Sequence, residues 1–471
     1  MNQIDELIRN AEDPLKAIEQ LQQGRNRKFA DEKLVKAQID VYEHKVMKEA
    51  TRPNKEVATS AVDGQGKPIT KSVSVARIPV GLQKLIVNRA VSFLFGNDVQ
   101  LYIDDEEEGN DVLRSTKRVF AESKVRTLNR QLARAVFTDT EAAEIWYFAD
   151  TDTHERYGFP TDKKLRSLIV CPSNGNTLYP YFDEVGDMVA FSREFTNPRT
   201  GKGYFETYTD EFQYLYTNDE GGWKMVDGYP KEHGYGKIPV VYSSQPYPEW
   251  RDVQPLIERL ETLLSNFADT NDYHASPKIF VTGNVTGFSQ KGETGAIIEG
   301  EEGATAQYLS WAQAPESVRL EIQTLLNLIY TTTQTPDISF DNVKGLNTSG
   351  VALKLLFMDA HLKVQDKAEI FNEHLQRRIN VVLAMLASIA PANKASEFSN
   401  VIIEPEIVPY LIDDEAAQIN SLMAATGQKA IMSRKTAVEA LNFVNDTDAE
   451  LERIEQEDAA SQMSNLFEPT E

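Results

Sequence analysis

The sequence predicts an α+β protein, and three observations carry that prediction. Apolar residues recur at helical spacing near both ends of the chain and again after residue 249. Between about Glu141 and Tyr242 the pattern changes to short alternating strands separated by turns. No apolar run is long enough to span a bilayer, and the proportions of apolar and charged residues are ordinary for a soluble folded protein.

The elements follow in chain order. Residues 1–50 read as helical, with Ile4, Leu7, Ile8, Ala11, Leu15 and Ile18 as apolar points in a charged background. Asp13-Pro14 suits the end of one short helix and the start of the next. Pro53 to Pro68 is polar, glycine-containing and without period, and reads as a loop. Leu82, Leu85, Ile86, Ala90 and Phe93 keep helical spacing, Gly96 stops that helix, and Val99, Leu101 and Ile103 alternate as a strand. Asp104 to Asn110 reads as an acidic turn, followed by one helix over about Val112–Val136. That helix carries Lys117, Arg118, Lys124, Arg126, Arg130 and Arg134, a run whose ordinary meaning is a solvated face. The region 141–242 reads as a mostly antiparallel sheet whose aromatics pack or solvate a sheet face.

From Glu249 to Asp272 the apolar positions Val253, Leu256, Ile257, Leu260, Leu263, Leu264 and Phe267 predict an amphipathic helix over four turns. Residues 276–314 are a short mixed segment with many glycines and one small strand, KIFVT (Lys278, Ile279, Phe280, then Val281 and Thr282), followed by Gly283. A second helix starts at Pro315, with Val318, Ile322, Leu325, Leu326 and Ile329 on one face. Residues 336–349 form a polar loop. A long helix then repeats Val351, Leu355, Met358 and Leu362, and later Phe371, Leu375, Ile379, Val382, Leu386 and Ile389. A straight rod of that length is unusual, so a kink is expected within 359–366. Pro391 ends it, and two or three further helices lead to a strongly acidic C-terminal stretch.

Composition narrows the function. Lys and Arg number 49 against 72 Asp and Glu, a net charge of −23, which argues against a surface that grips nucleic acid through counterion release. It leaves room for DNA as a passing cargo, because an acidic wall discourages phosphates from sticking. Solubility alone is the plainer account. The polar, acidic first residues are not a secretory signal, which points to the cytosol or a particle assembled there. The lone cysteine, Cys171, makes no internal disulfide and reads as structural. No phosphate-cradling GxxxxGK[ST] loop and no HExxH is present, and the six histidines are scattered. The glycines near 292–303 sit among glutamates, which suits a loop better than a phosphate site. Carboxylate pairs such as Asp104-Asp105 and Asp413-Asp414 are background in so acidic a chain. The expectation is no catalytic site, no metal and no cofactor.

Four segments, in order, resemble the portal proteins of tailed bacteriophages, in particular those of siphophages of Gram-positive hosts. VNRAVSFLFGNDVQLYI is similar to that family's early helix–glycine–strand phrase. YGKIPVVYSS with EWRDVQPLIERLETLLSNFADTNDYHASPKIFVTG resembles the entry to its first stem helix and the start of its clip. NTSGVALKLLFMDAHLKVQDK resembles its tunnel loop and tunnel helix, and GQKAIMSRKTAVEALNFVNDTDAELERIEQE its C-terminal close. The likeness covers roughly 75–460.

The resemblance implies a portal fold with a mixed α/β wing over 1–247 and a first stem helix over 248–273. A small α/β clip over 274–314 and a second stem helix over 315–335 follow. The tunnel loop and long kinked helix take 336–390, and a helical crown 391–471. It implies stem packing by Val253, Leu256, Leu260, Leu263, Val318, Ile322 and Leu325, and a clip containing Lys278, Ile279, Phe280 and Gly283. It also implies a DNA-facing loop with Pro336, Asp337, Asp341, Asn342, Lys344 and Gly345, and a tunnel helix with Val351, Lys354, Met358 and Lys363.

The partners implied are further copies of the chain in a dodecameric ring, double-stranded DNA passing without sequence readout, and the terminase large subunit. A head-completion adaptor, the major capsid protein and a scaffolding protein complete the set, with no membrane. The location implied is the portal vertex of the virion, after assembly in the bacterial host cytoplasm. A non-conducting structural or adaptor protein of a phage particle is the alternative, and an enzyme with an unrecognised site a weaker one.

Overall fold

The computed structural model describes residues 3–11, 13–23, 36, 39–43, 52–103, 106–219, 222–274, 278–283, 285–288, 298–300, 303, 305–309, 314–338, 357–410, 415–427, 430–441 and 447–466. The chain divides into two compact units. One comprises Met1–Asp337 with Asp359–Tyr410, and the other Ile338–Met358 with Leu411–Glu471.

The first unit opens with α1 (Gln3–Asn10) and α2 (Pro14–Gln23). Their buried Ile8, Ile18 and Leu21 pack with Tyr179, Tyr181, Phe205, Tyr214 and Tyr216 of a sheet. Two of the tyrosine hydroxyls bond to the helices: Tyr214 donates to Asp5 at 2.9 Å and Tyr181 to the Leu21 carbonyl at 2.8 Å. The sheet aromatics thus pack against helices, as buried tyrosines with bonded hydroxyls do.

Lys55–Val62 (β1) and Pro68–Val73 (β2) form an antiparallel hairpin where the sequence reading has a loop. The apolar signal is weak because every described strand residue is at least partly exposed. The turn is legible only through its chemistry: Asp63 Oδ1 accepts the Gln65 and Lys67 amides at 2.9 Å, and Gly66 sits at φ +81°.

Helix α3 (Leu82–Leu94) and strand β3 (Gln100–Ile103) appear where periodicity places them. Gly96 between them is required by space. A Cβ there would lie 2.4 Å from the Ser92 carbonyl oxygen and 2.5 Å from Tyr410 Cβ.

The single helix expected over 112–136 is two, α4 (Glu106–Glu122) and α5 (Val125–Asp139). Lys124, at φ 56°, breaks them, with no glycine or proline to announce it. Beside the break Glu122 pairs with Arg118 one turn back in α4 and with Arg156 and Lys164 at 3.1–3.5 Å, while Ser123 Oγ donates to the Leu165 carbonyl. Residues 106–110, expected in an acidic turn, belong to α4.

Nine strands follow: β4 (Glu141–His154), β5 (Thr161–Val170), β6 (Asn176–Phe182), β7 (Met188–Thr196), β8 (Gly203–Tyr208), β9 (Phe212–Asp219), β10 (Gly222–Met225), β11 (Lys231–Glu232) and β12 (Val240–Ser244). Strands β6 to β10 form an antiparallel meander with β11 on β9, and β12-β4-β5 form a second sheet. After these come α6 (Gln254–His274), β13 (Lys278–Thr282), β14 (Val285–Phe288), β15 (Ile298–Gly300), β16 (Thr305–Leu309) and α7 (Ala314–Thr332).

Helix α8 (Met358–Ile389) contains 359–366, where a kink was expected, within its single run. Its Phe371, Leu375, Ile379, Val382 and Leu386 are buried as the spacing predicts. Helix α9 (Ala392–Asn400) and β17 (Ile403–Glu406), which pairs with β3, complete the first unit. The first unit therefore extends through Tyr410, past the proline that the sequence reading takes as the start of the C-terminal part.

The second unit contains α10 (Glu415–Thr426), α11 (Arg434–Leu441) and α12 (Thr447–Leu466), with Arg434 and Asp458 paired at 2.7 Å between the last two.

One buried polar cluster locks β4, α5 and α8 together. The Glu144 side chain is fully enclosed with His374 and Arg378. Arg378 Nε donates to Glu144 Oε2 at 2.8 Å, and its Nη1 donates to Asn129 Oδ1 at 2.5 Å. Arg378 Nη2 lies 2.7 Å from Oε2, close enough for charge attraction but not aligned as a hydrogen bond. Burial alone would raise the Glu144 carboxyl, but the Arg378 guanidinium and His374 reverse this and hold it down at about 2. His374 is pushed below its ordinary value by burial, hence neutral. Its Nε2–H faces Glu144 at 3.1 Å and its Nδ1 accepts from Ser243 Oγ at 2.6 Å.

Candidate functional site: a helical arm and its returning turn

The arm is α6 packed along α7. Val253, Ile257, Leu260 and Leu263 are buried, with Leu256 half-buried beside them. From α7, Leu325 and Ile329 are buried, and Val318 and Ile322 half-buried. All seven residues expected to pack the stem are thus buried or half-buried in the single subunit. Arg259 and Glu321 pair across the helices at 2.7 Å, both partly exposed and therefore worth little. The opposite face of α7 is solvent-facing and holds Leu320 at 67% exposure and Leu328 at 47%, two turns apart.

Another side of α6 receives an extended segment through a match of periods that sequence reading missed. The backbone amides of Ala76, Ile78 and Val80 donate to Asp269 Oδ1 (2.7 Å), Ser265 Oγ (3.1 Å) and Glu261 Oε1 (3.0 Å). Alternate residues of an extended chain advance about 6.6 Å, and four helical residues about 6 Å, so each second amide meets each fourth side chain. The signal is present in the sequence as E-x3-S-x3-D, but nothing local names its partner. Asp269 is held below the usual carboxylate range: burial opposes this, and the Ala76 amide and Arg52 guanidinium outweigh it.

At the far end of the arm lie two small antiparallel pairs, β13 with β16 and β14 with β15. Lys278 and Ile279 pair by backbone with Leu309 and Tyr308, while Phe280 is 54% exposed and Gly283 sits at φ 105°. The sequence reading found one of these four strands.

After α7 the chain turns sharply through Gln334, at φ 50°. The turn is held from three sides. Thr333 Oγ1 donates to the Ile329 carbonyl at 2.8 Å, the Thr335 amide to the Tyr330 carbonyl at 2.9 Å, and the Arg89 guanidinium to the Pro336 carbonyl. Lys363 Nζ donates to the Thr333 carbonyl at 3.0 Å and pairs with Glu249 Oε2 at 2.9 Å; Lys367 pairs with Oε1 of the same carboxylate at 2.5 Å. The Glu249 carboxyl is buried, which opposes ionisation, yet the two ammonium groups hold it below its ordinary value.

Lys363 was expected on the channel-facing side of its helix and is instead 7% exposed, tying the turn to the arm's base. Met358 and Leu362, at 52% and 47%, face outward. The apolar points at 358 and 362 misidentify the inner face of this first turn, because a buried carboxylate recruits the lysine inward. Pro336 is buried and Asp337 half-buried. Asp341, Asn342, Lys344, Gly345, Val351 and Lys354 lie outside the described residues.

The arginines of the basic run have local partners, Arg118 pairing with Glu122. Arg126 pairs with Asp98 at 3.0 Å, Arg130 donates to the Phe95 carbonyl at 2.8 Å, and Arg134 to Asn88. Cys171 is buried and its thiol pushed up to about 12, chiefly by burial and then by Asp139, so it is not a reactive thiolate. Among the described residues, no three metal-ligating side chains converge and no helix is long and apolar enough to cross a membrane.

A two-helix arm with a small β tip springs from an α/β body, and the chain returns through a long helix. The family described as phage portal protein, SPP1 Gp6-like, matches residues 15–464, and the chain belongs to it. That family is structural and non-enzymatic.

Solved structures similar to the chain include "Neck of empty GTA particle computed with C6 symmetry", with 12% identity and a TM-score of 0.42. "Virion of native gene transfer agent (GTA) particle" has 11% identity and 0.42, and "Neck of native GTA particle computed with C12 symmetry" 12% and 0.40. In each case 78% of this chain and 90% of the other are covered. No curated protein is a significant sequence match.

Proposed function

We propose that the chain assembles into a dodecameric ring at one vertex of the capsid, through which double-stranded DNA is packaged and ejected. The arm forms the stem, and its β tip is the clip, where the terminase large subunit and later the head-completion adaptor dock. The body contacts the major capsid protein and scaffolding protein, with assembly in the host cytoplasm. The observation that carries this reading is the family match over 15–464. The arm supports it, because α7 keeps leucines on its outer face after its inner face is satisfied. A closed ring needs such heterologous contacts.

The loop after Pro336 is the part that nears DNA. Its acidic and polar residues, Asp337, Asp341 and Asn342 against Lys344, suit passage without sticking. Gly345 gives its backbone freedom to rearrange as the duplex moves.

The test is Asp337→Lys combined with Asp341→Lys. Rings seen by negative-stain microscopy should persist while packaged DNA length and infectivity fall; normal packaging by the doubled variant refutes the channel-facing loop. Removing Gly283 to Gly303 should leave the wing folded and abolish adaptor docking.

A further inference from the structure

The hairpin of β1 and β2 touches its own subunit at its base, where Lys55 lies 3.8 Å from Asp269, and is exposed along its strands. Its root is fixed: Arg52 pairs with Asp269 at 2.9 Å, and Arg77 donates to the Arg52 carbonyl and to Asn54 Oδ1 at 2.9 and 2.8 Å. Beyond that root it leaves the body. Among the described residues it pairs with no third strand, and none of its strand residues is buried. A two-stranded ribbon is marginal alone in water and is stabilised by a surface to lie on.

The register assigns its faces. Lys55 opposes Val73, Val57 opposes Lys71, and Thr59 bonds through its hydroxyl to the Ile69 carbonyl. One face therefore carries Val57, Ile69 and Val73, exposed at 49%, 47% and 42%, flanked by Lys55 and Lys71, with no carboxylate. Glu56 and Ser72 oppose each other on the other face. Over 55–73 three lysines stand against Glu56 and Asp63, a net charge of +1 in a chain of −23.

We propose that this ribbon is an intersubunit arm, which lays its Val57–Ile69–Val73 face on an acidic, partly apolar surface of a second copy of this chain. Charge complementarity selects the partner: the ribbon is cationic and the rest of every copy strongly anionic. The apolar stripe between the lysines favours protein over a phosphate backbone, which would be met by charge alone. In a ring each copy gives one ribbon and receives one, the head-to-tail contact that cyclic closure requires. The inference rests on the ring reading.

The test uses the full chain, with Lys71→Cys carrying a benzophenone; the buried Cys171 thiol leaves that site the reactive one. Irradiation should give a ladder of covalent dimers and higher species, identified as self-links by mass spectrometry. Separately, Ile69→Ser with Lys71→Glu should leave the melting temperature unchanged and lower the fraction in rings by about tenfold or more. Rings that form as in wild type without any ribbon cross-link sink this inference alone. Cross-links to added duplex DNA in place of dimers overturn the choice of partner. A wild-type protein that forms no ring at all sinks the ring reading and this inference with it.

Discussion

Replacing Arg378 by methionine should be among the costliest single changes in the first unit. Glu144, His374 and Arg378 have side chains at 0% exposure, and Arg378 Nε makes an aligned bond to the Glu144 carboxylate. Methionine keeps much of the volume and removes the charge. Glu144 would remain buried with only His374 beside it, and Asn129 would lose its donor. Breaking a buried pair from one side costs about 3–5 kcal/mol, because the surviving charge is uncompensated. The double variant Glu144→Gln with Arg378→Met removes that charge and should regain a substantial part of the loss. The assay is urea denaturation of the full chain followed by tryptophan fluorescence, since Trp146 is fully buried in the same core. A loss below about 1 kcal/mol for the single change, typical of an exposed pair, would refute the reasoning; so would a double variant no more stable than the single one.

The same cluster sets the acid response. Both Glu144 and His374 have folded pKa values below their ordinary ones, so each contributes stability above its unfolded pKa that is lost as pH falls. Loss should begin below about pH 6.5 through His374 and continue from pH 4.5 toward about 2 through Glu144, where the carboxyl accounts for about 3 kcal/mol. Stability flat between pH 7 and 3 would contradict this. Gly96→Ala forces a Cβ into the Ser92 carbonyl and Tyr410 and should cost about 1–3 kcal/mol, measured by thermal melting; an unchanged melt would show that the α3–β3 corner is not tight. Leu320→Asp with Leu328→Asp alters only exposed positions of α7 and should shift stability by no more than about 0.5 kcal/mol while reducing ring yield. Full ring yield in size-exclusion light scattering would remove that face from the stem contact.

Much of the arm was legible without coordinates. Val253, Leu260, Leu263 and Leu325 are buried because their spacing already encodes an inner face. Gly96 was legible as a helix stop, though its reason, the close approach of Tyr410, was not. The hairpin at 55–73 was not legible, since a ribbon exposed on both faces has no apolar alternation to read.

By itself the sequence determined the α+β class, the order of its long helices and strands, and the family phrases, because local periodicity records which face of each element avoids water. Only the tertiary structure decided that Lys363 turns inward to Glu249, 114 residues away in sequence. It also decided that helix 112–136 breaks at Lys124, and that Glu144 meets His374 and Arg378 across more than 200 residues. A charged side chain looks solvent-bound in any local window; its burial depends on the free energy of a partner that only the folded chain brings within 3 Å.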